Sequence, residues 1–130
     1  MKFLVGYNGS KEAKSALALA GNFAKIHGAK VFVMTSREGG PGERVDEISQ
    51  VEVDLKYARN FLEELGVECE TLHFARGLSA GEDIVRFAVE TEIDHLFVGI
   101  EKKSRTRKMI LGSTAQYVIL KAPCPVTAVK

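Results

Sequence analysis

Five short apolar runs alternate along the chain with four longer stretches whose apolar residues recur every three or four positions. The runs are Phe3-Leu4-Val5, Val31 to Met34, roughly Val67 to Phe74, Leu96 to Val98, and Val126 to Val129. Strands that are apolar nearly throughout are buried on both faces, and strands separated by helices run parallel. The order therefore predicts an α/β protein, a three-layer α/β/α sandwich with a five-stranded parallel sheet.

The helical stretches carry their own start and stop signals. Ser10 is placed as the N-cap of a helix burying Ala13, Leu17, Ala20 and Ala24, and Gly28 stops it as a left-handed residue would. Ile48, Val51, Leu55, Ala58, Leu62 and Leu65 form one stripe closed by Gly66. Ser79 and Glu82 have capping-box spacing ahead of a helix with Ile84, Val85, Ala88 and Val89 inward. Ser113 and Gln116 repeat that spacing ahead of a helix through Tyr117 to Leu120, ended by Pro123 and Pro125. Residues 37–44, REGGPGER, read as a loop.

At 130 residues the chain is expected to be one domain, 1–130. Its 45% hydrophobic and 27% charged residues exclude a disordered chain. A formal net charge of +1 argues against dedicated nucleic-acid binding, so any anion recognition should be local. The two cysteines, Cys69 and Cys124, are isolated and imply reduced thiols. The opening MKFLVGYNGS is too short in apolar residues for a signal peptide, and no run approaches ~18 apolar residues, so a cytoplasmic protein without membrane association is expected. His27, His73 and His95 are scattered, giving no metal set, and no nucleophile–base arrangement or phosphate-loop motif is present. Glu52 and Asp54 read as solvated charge on the second helix.

One segment departs from this even balance. Between Glu101 and Lys108 lie five cations and one anion, a local charge of +4, so everything outside those eight residues sums to −3. Open parallel sheets bind ligands beyond the carboxyl ends of their strands, where the strand order reverses. With order 3-2-1-4-5 the loops meeting there are Gly6 to Ser10 and Gly99 to Gly112. With order 2-1-3-4-5 the first strand would instead face Ala75-Arg76-Gly77-Leu78. Periodicity does not choose between these orders, although the glycine and charge content after the fourth strand favours the first. Ser113 and Thr114 open a helix whose free N–H groups suit a phosphate, and Gly112 leaves room for close approach. A solvated basic loop is the plainer alternative, as a strand-end turn is for Gly6, Tyr7 and Asn8.

At these residues the sequence resembles the universal stress protein family over nearly its whole length. The family's nucleotide-binding members carry Gly, two residues, Gly, nine residues, then Gly-Ser or Gly-Thr after the fourth strand. Gly99 and Gly112-Ser113-Thr114 fit that spacing, VGYNGSKEAKSAL is similar to the family's opening, and KAPCPVTAVK to its proline-flanked last strand. Lys102 stands where the family has its second glycine, and Asn8 where it has an aspartate. The resemblance implies order 3-2-1-4-5 and a site for ATP or another adenine nucleotide, with Mg²⁺ as a possible companion. The implied site comprises Gly6, Tyr7, Asn8, Ser36, Val98, Gly99, Lys102, Arg105, Arg107, Gly112, Ser113 and Thr114, with Ser36 by the adenine. The cations around Lys102 are read as compensating through side chains for the missing glycine. No enzymatic role beyond weak ATP hydrolysis is implied, and a homodimer through the strand Val126–Val129 is expected. The alternative is a nucleotide-independent dimeric interaction module of the same fold.

Overall fold

The computed structural model describes residues 1–37, 45–101 and 111–130. Among them the alternation appears as β1 (Lys2–Gly6), α1 (Lys11–His27), β2 (Lys30–Ser36), α2 (Val45–Glu64), β3 (Cys69–Phe74), α3 (Ala80–Thr91), β4 (His95–Gly99), α4 (Ser113–Lys121) and β5 (Val126–Val129). The strands form one parallel sheet in the order β3-β2-β1-β4-β5. Of the loop expected over 37–44, all but Arg37 lies outside the described residues, as do Lys102, Arg105 and Arg107.

Side-chain alternation along the strands divides the core into two layers. Phe3, Val5, Val31, Val33 and Phe97 meet α1 and α2 through Ala16, Leu17, Ala20, Ala58 and Leu62. Leu4, Phe32, Met34, Leu96 and Val98 point the other way, onto Ile84, Ala88 and Val118 of α3 and α4. Gly21 lets α2 approach α1, since a Cβ there would stand 2.9 Å from Leu65 Cδ1 and 3.0 Å from Leu62 Cδ2.

The caps follow the sequence at α1 and α3. Ser10 Oγ accepts from Ala13 N at 3.1 Å, Gly28 adopts φ 67°, and Ser79 Oγ accepts from Glu82 N at 3.3 Å. Two expectations need correction. Val89 is 57% exposed rather than inward, because the buried face of α3 runs through Gly81, Ile84 and Ala88. At α4 the N-cap is Gly112 rather than Ser113, and Gln116 Nε2 reaches back to the Leu111 carbonyl at 3.1 Å instead of completing a capping box. Only Ala115 and Val118 of α4 are buried.

Candidate functional site

β1 pairs β2 on one side and β4 on the other, so the connections leaving β1 and β4 diverge to opposite faces of the sheet. A cleft of about 450 Å³ opens there, within the size range of small-molecule sites. Gly6, Tyr7 and Asn8 enter it from the end of β1, Met34, Thr35 and Ser36 from β2, Val98 and Gly99 from β4, and Gly112 to Ala115 from the start of α4. The α2 helix contributes Glu47, Gln50, Val51 and Asp54, and α3 contributes Ala80 and Ile84. The β2 end thus offers the apolar side chains of Met34, Val51 and Ile84, rimmed by the Arg37–Glu47 ion pair, Gln50 and Asp54. The other carries the leading N–H groups of α4, which have no intrahelical carbonyl to bond.

Backbone and side-chain bonds fix the turn after β1. Tyr7 N donates to Met34 O at 2.9 Å, and the buried Thr35 hydroxyl donates to Tyr7 O at 2.7 Å. Asn8 Oδ1 accepts from Ser10 N at 3.0 Å while its Nδ2 donates to Glu101 Oε1 at 3.1 Å. That amide joins the two loops across the switch point, and an aspartate there could accept from Ser10 but not donate to Glu101. Gly99 is required by packing: a Cβ would stand 2.5 Å from the Glu12 carbonyl carbon and 2.6 Å from Ala13 N. Gly9 has φ 77°, and Asp54 occupies the space over it, 2.5 Å from where a Cβ would be. Asp54 is thus a half-buried cleft residue, held by Gln50 Nε2 at 3.0 Å, and not the solvated charge expected from its helix position.

Two buried polar groups stand out. Among the described residues the Tyr7 hydroxyl has no hydrogen-bond partner, and the residue is 3% exposed. Burial, then the nearby Asp54 carboxylate and Tyr57, push its pKa up to about 12, so the phenol keeps its proton and is available as a donor. Asp83, on α3, is fully buried. Its Oδ1 accepts from Arg76 Nε at 3.0 Å and from the same guanidinium's NH2 at 2.8 Å, and its Oδ2 accepts from the Ser36 hydroxyl. The Arg76 guanidinium lies 4.4 Å from the centre of the Phe74 ring.

Nine of the twelve residues expected at the site line this one cleft: Gly6, Tyr7, Asn8, Ser36, Val98, Gly99, Gly112, Ser113 and Thr114. The remaining three, Lys102, Arg105 and Arg107, lie outside the described residues. Sequence reasoning missed the α2 and α3 walls. Their cleft-facing residues are interspersed with ordinary surface and core positions, and no local signal marks which helix face borders a strand end.

The sequence model of the Universal stress protein family matches residues 1–130. A universal stress protein of Thermus aquaticus is 32% identical, over 98% of this chain and 96% of its own. The structure of a universal stress protein from Archaeoglobus fulgidus is similar with a TM-score of 0.84 and 32% identity, covering 99% of this chain and 91% of that one. A structure from the same organism, in complex with dAMP, has a TM-score of 0.81 and 30% identity, covering 99% of this chain and 95% of that one.

Proposed function

The chain belongs to the universal stress protein family, and on that premise we propose that its cleft binds an adenine nucleotide as a regulatory ligand. The observation that carries the reading is the asymmetry of the cleft, with Met34, Val51 and Ile84 offering apolar surface beside β2 and a helix N-terminus at the other end. The end of β2 and the end of β4 are two strand spacings apart, about 10 Å, a span suited to a base at one end and a phosphate at the other. The dAMP complex of the Archaeoglobus fulgidus relative supports the same ligand class. In this reading Gly6, Tyr7, Asn8, Ser36 and Val98 hold the nucleoside, and Gly99, Gly112, Ser113 and Thr114 the phosphate. Lys102, Arg105 and Arg107 supply charge for the distal phosphates, where Mg²⁺ would arrive bound to a triphosphate. We assign no catalytic residue and at most slow ATP hydrolysis, in a single cytoplasmic domain acting in a stress response.

Saturation with ATP, ADP or AMP at ~100 times the dissociation constant should stabilise the fold by about 2.7 kcal/mol, read as a rise in melting temperature. No rise with any of the three at low salt would leave the dimeric interaction module. One observation gives that second reading its own support: β5 is an edge strand without a charged residue from Val126 to Val129. Beside it, α4 leaves Ile119 41% and Leu120 78% exposed. We propose that a second copy pairs along this edge whether or not nucleotide is bound.

A further inference from the structure

We propose that Ser36, oriented by the buried Asp83 carboxylate and its Arg76 partner, makes the cleft selective for a base with an amino group on the ring edge that reaches β2, and rejects one with a carbonyl there. The inference rests on the nucleotide reading above and specifies which bases it admits. Ser36 stands at the last position of β2 and lines the cleft beside Met34 and Val51, away from α4. With the anion at the α4 N-terminus, this is the end left to the base.

A serine hydroxyl has one proton to give and lone pairs with which to accept. Here the proton is committed. Asp83 is fully buried, and a carboxylate paired with a guanidinium is an acceptor only. Both of its oxygens are occupied, Oδ1 by two Arg76 nitrogens and Oδ2 by Ser36. Arg76 is itself held over the Phe74 ring at 4.4 Å, and Asp83 N is tied to Ser79 O at 3.1 Å in the first turn of α3. Neither partner can rotate away without leaving the buried carboxylate unpaired. The Ser36 oxygen therefore presents only lone pairs to a ligand. Such a group accepts from the 6-amino group of adenine and repels the 6-oxo group of hypoxanthine or guanine. Asp83 and Arg76 are positioning residues, acting through the direction of one hydroxyl.

The test compares adenosine 5′-monophosphate with inosine 5′-monophosphate, which carries a carbonyl oxygen in place of the amino group, by titration calorimetry on the wild type and two variants. One well-placed hydrogen bond lost and one lone-pair clash gained should favour the adenosine nucleotide by about tenfold or more in the wild type. Ser36→Ala removes the acceptor, and the ratio should fall to within about threefold. In Asp83→Asn the side-chain amide can donate to Ser36, releasing the hydroxyl proton to the cleft, and the ratio should move toward the inosine nucleotide. A variant that only loosens the fold weakens both nucleotides alike, so a moved ratio reports Ser36 itself. A wild-type ratio near one, or a ratio that Ser36→Ala leaves unchanged, overturns the inference while nucleotide binding stands. Binding of neither nucleotide to the wild type overturns the nucleotide reading and this inference with it.

Discussion

Tyr7 shows how much a single residue can carry that its sequence position conceals. Read in the chain it is one letter of a strand-end turn. In the fold its ring is buried against α1 and α2 while its hydroxyl finds no partner among the described residues under the cleft. An unpaired buried hydroxyl is a cost, so Tyr7→Phe should leave stability unchanged or raise it by up to ~1 kcal/mol at pH 7. The alkaline limb gives a sharper test. The folded pKa is pushed up to about 12 from the ordinary tyrosine value of 10.0, so the native state holds a proton that the unfolded chain releases first. That contribution is fully present below pH 10 and is lost as pH rises toward 12, a fall on the order of 2 kcal/mol. Urea melts from pH 9 to 12 should show a steeper decline in the wild type than in Tyr7→Phe. Parallel curves would mean that the phenol already has a solvent partner.

Among the elements, the helices beginning with a side-chain cap were legible and the one beginning with glycine was not. Ser10 and Ser79 each sit three residues before the N–H they accept from; Ser10 was legible from its place ahead of an apolar stripe and Ser79 from its spacing to Glu82. At α4 the same spacing between Ser113 and Gln116 misplaced the cap by one residue. Gly112 takes the extended conformation with φ −64° and ψ 158° and leaves Ser113 as the first helical residue. The two serines should therefore respond differently to truncation. Ser10→Ala should cost about 1 kcal/mol in chemical denaturation, and Ser113→Ala only a few tenths, because it loses no cap bond. Equal costs would contradict the assignment. The α3 error has a related cause: Val89 follows Ala88 in an apolar run, and composition does not reveal which of two adjacent residues faces out.

For the molecule as a whole, the class of fold was the most legible property, because the five apolar strands and four periodic helices were each local signals. Strand order was not, since it depends on which face each crossover covers. It came from the resemblance and is seen in the pairing of β1 with both β2 and β4. The β5 edge adds a detail that only register supplies. Leu96 N donates to Pro125 O and Ile100 N to Val129 O, so the alternate positions 125, 127 and 129 turn their backbone groups toward β4. Val126 and Ala128 are left facing the open edge. A second copy should pair through those two, and Ala128→Pro, which removes one outward donor, should shift a dimer toward monomer in light scattering. A wild type monomeric at ~100 μM, where micromolar interfaces would be filled, would contradict the edge-pairing proposal.

We propose the cleft between β1, β2, β4 and α4 as the nucleotide site. Titrating isotope-labelled protein with AMP while following backbone amide resonances tests it most directly. Shifts should concentrate at Gly6 to Asn8, Ser36, Gly99 and Gly112 to Thr114, with the far end of β3 at Cys69 to Thr71 little changed. Saturable shifts centred away from these residues, or no shifts at millimolar AMP and low salt, would contradict it.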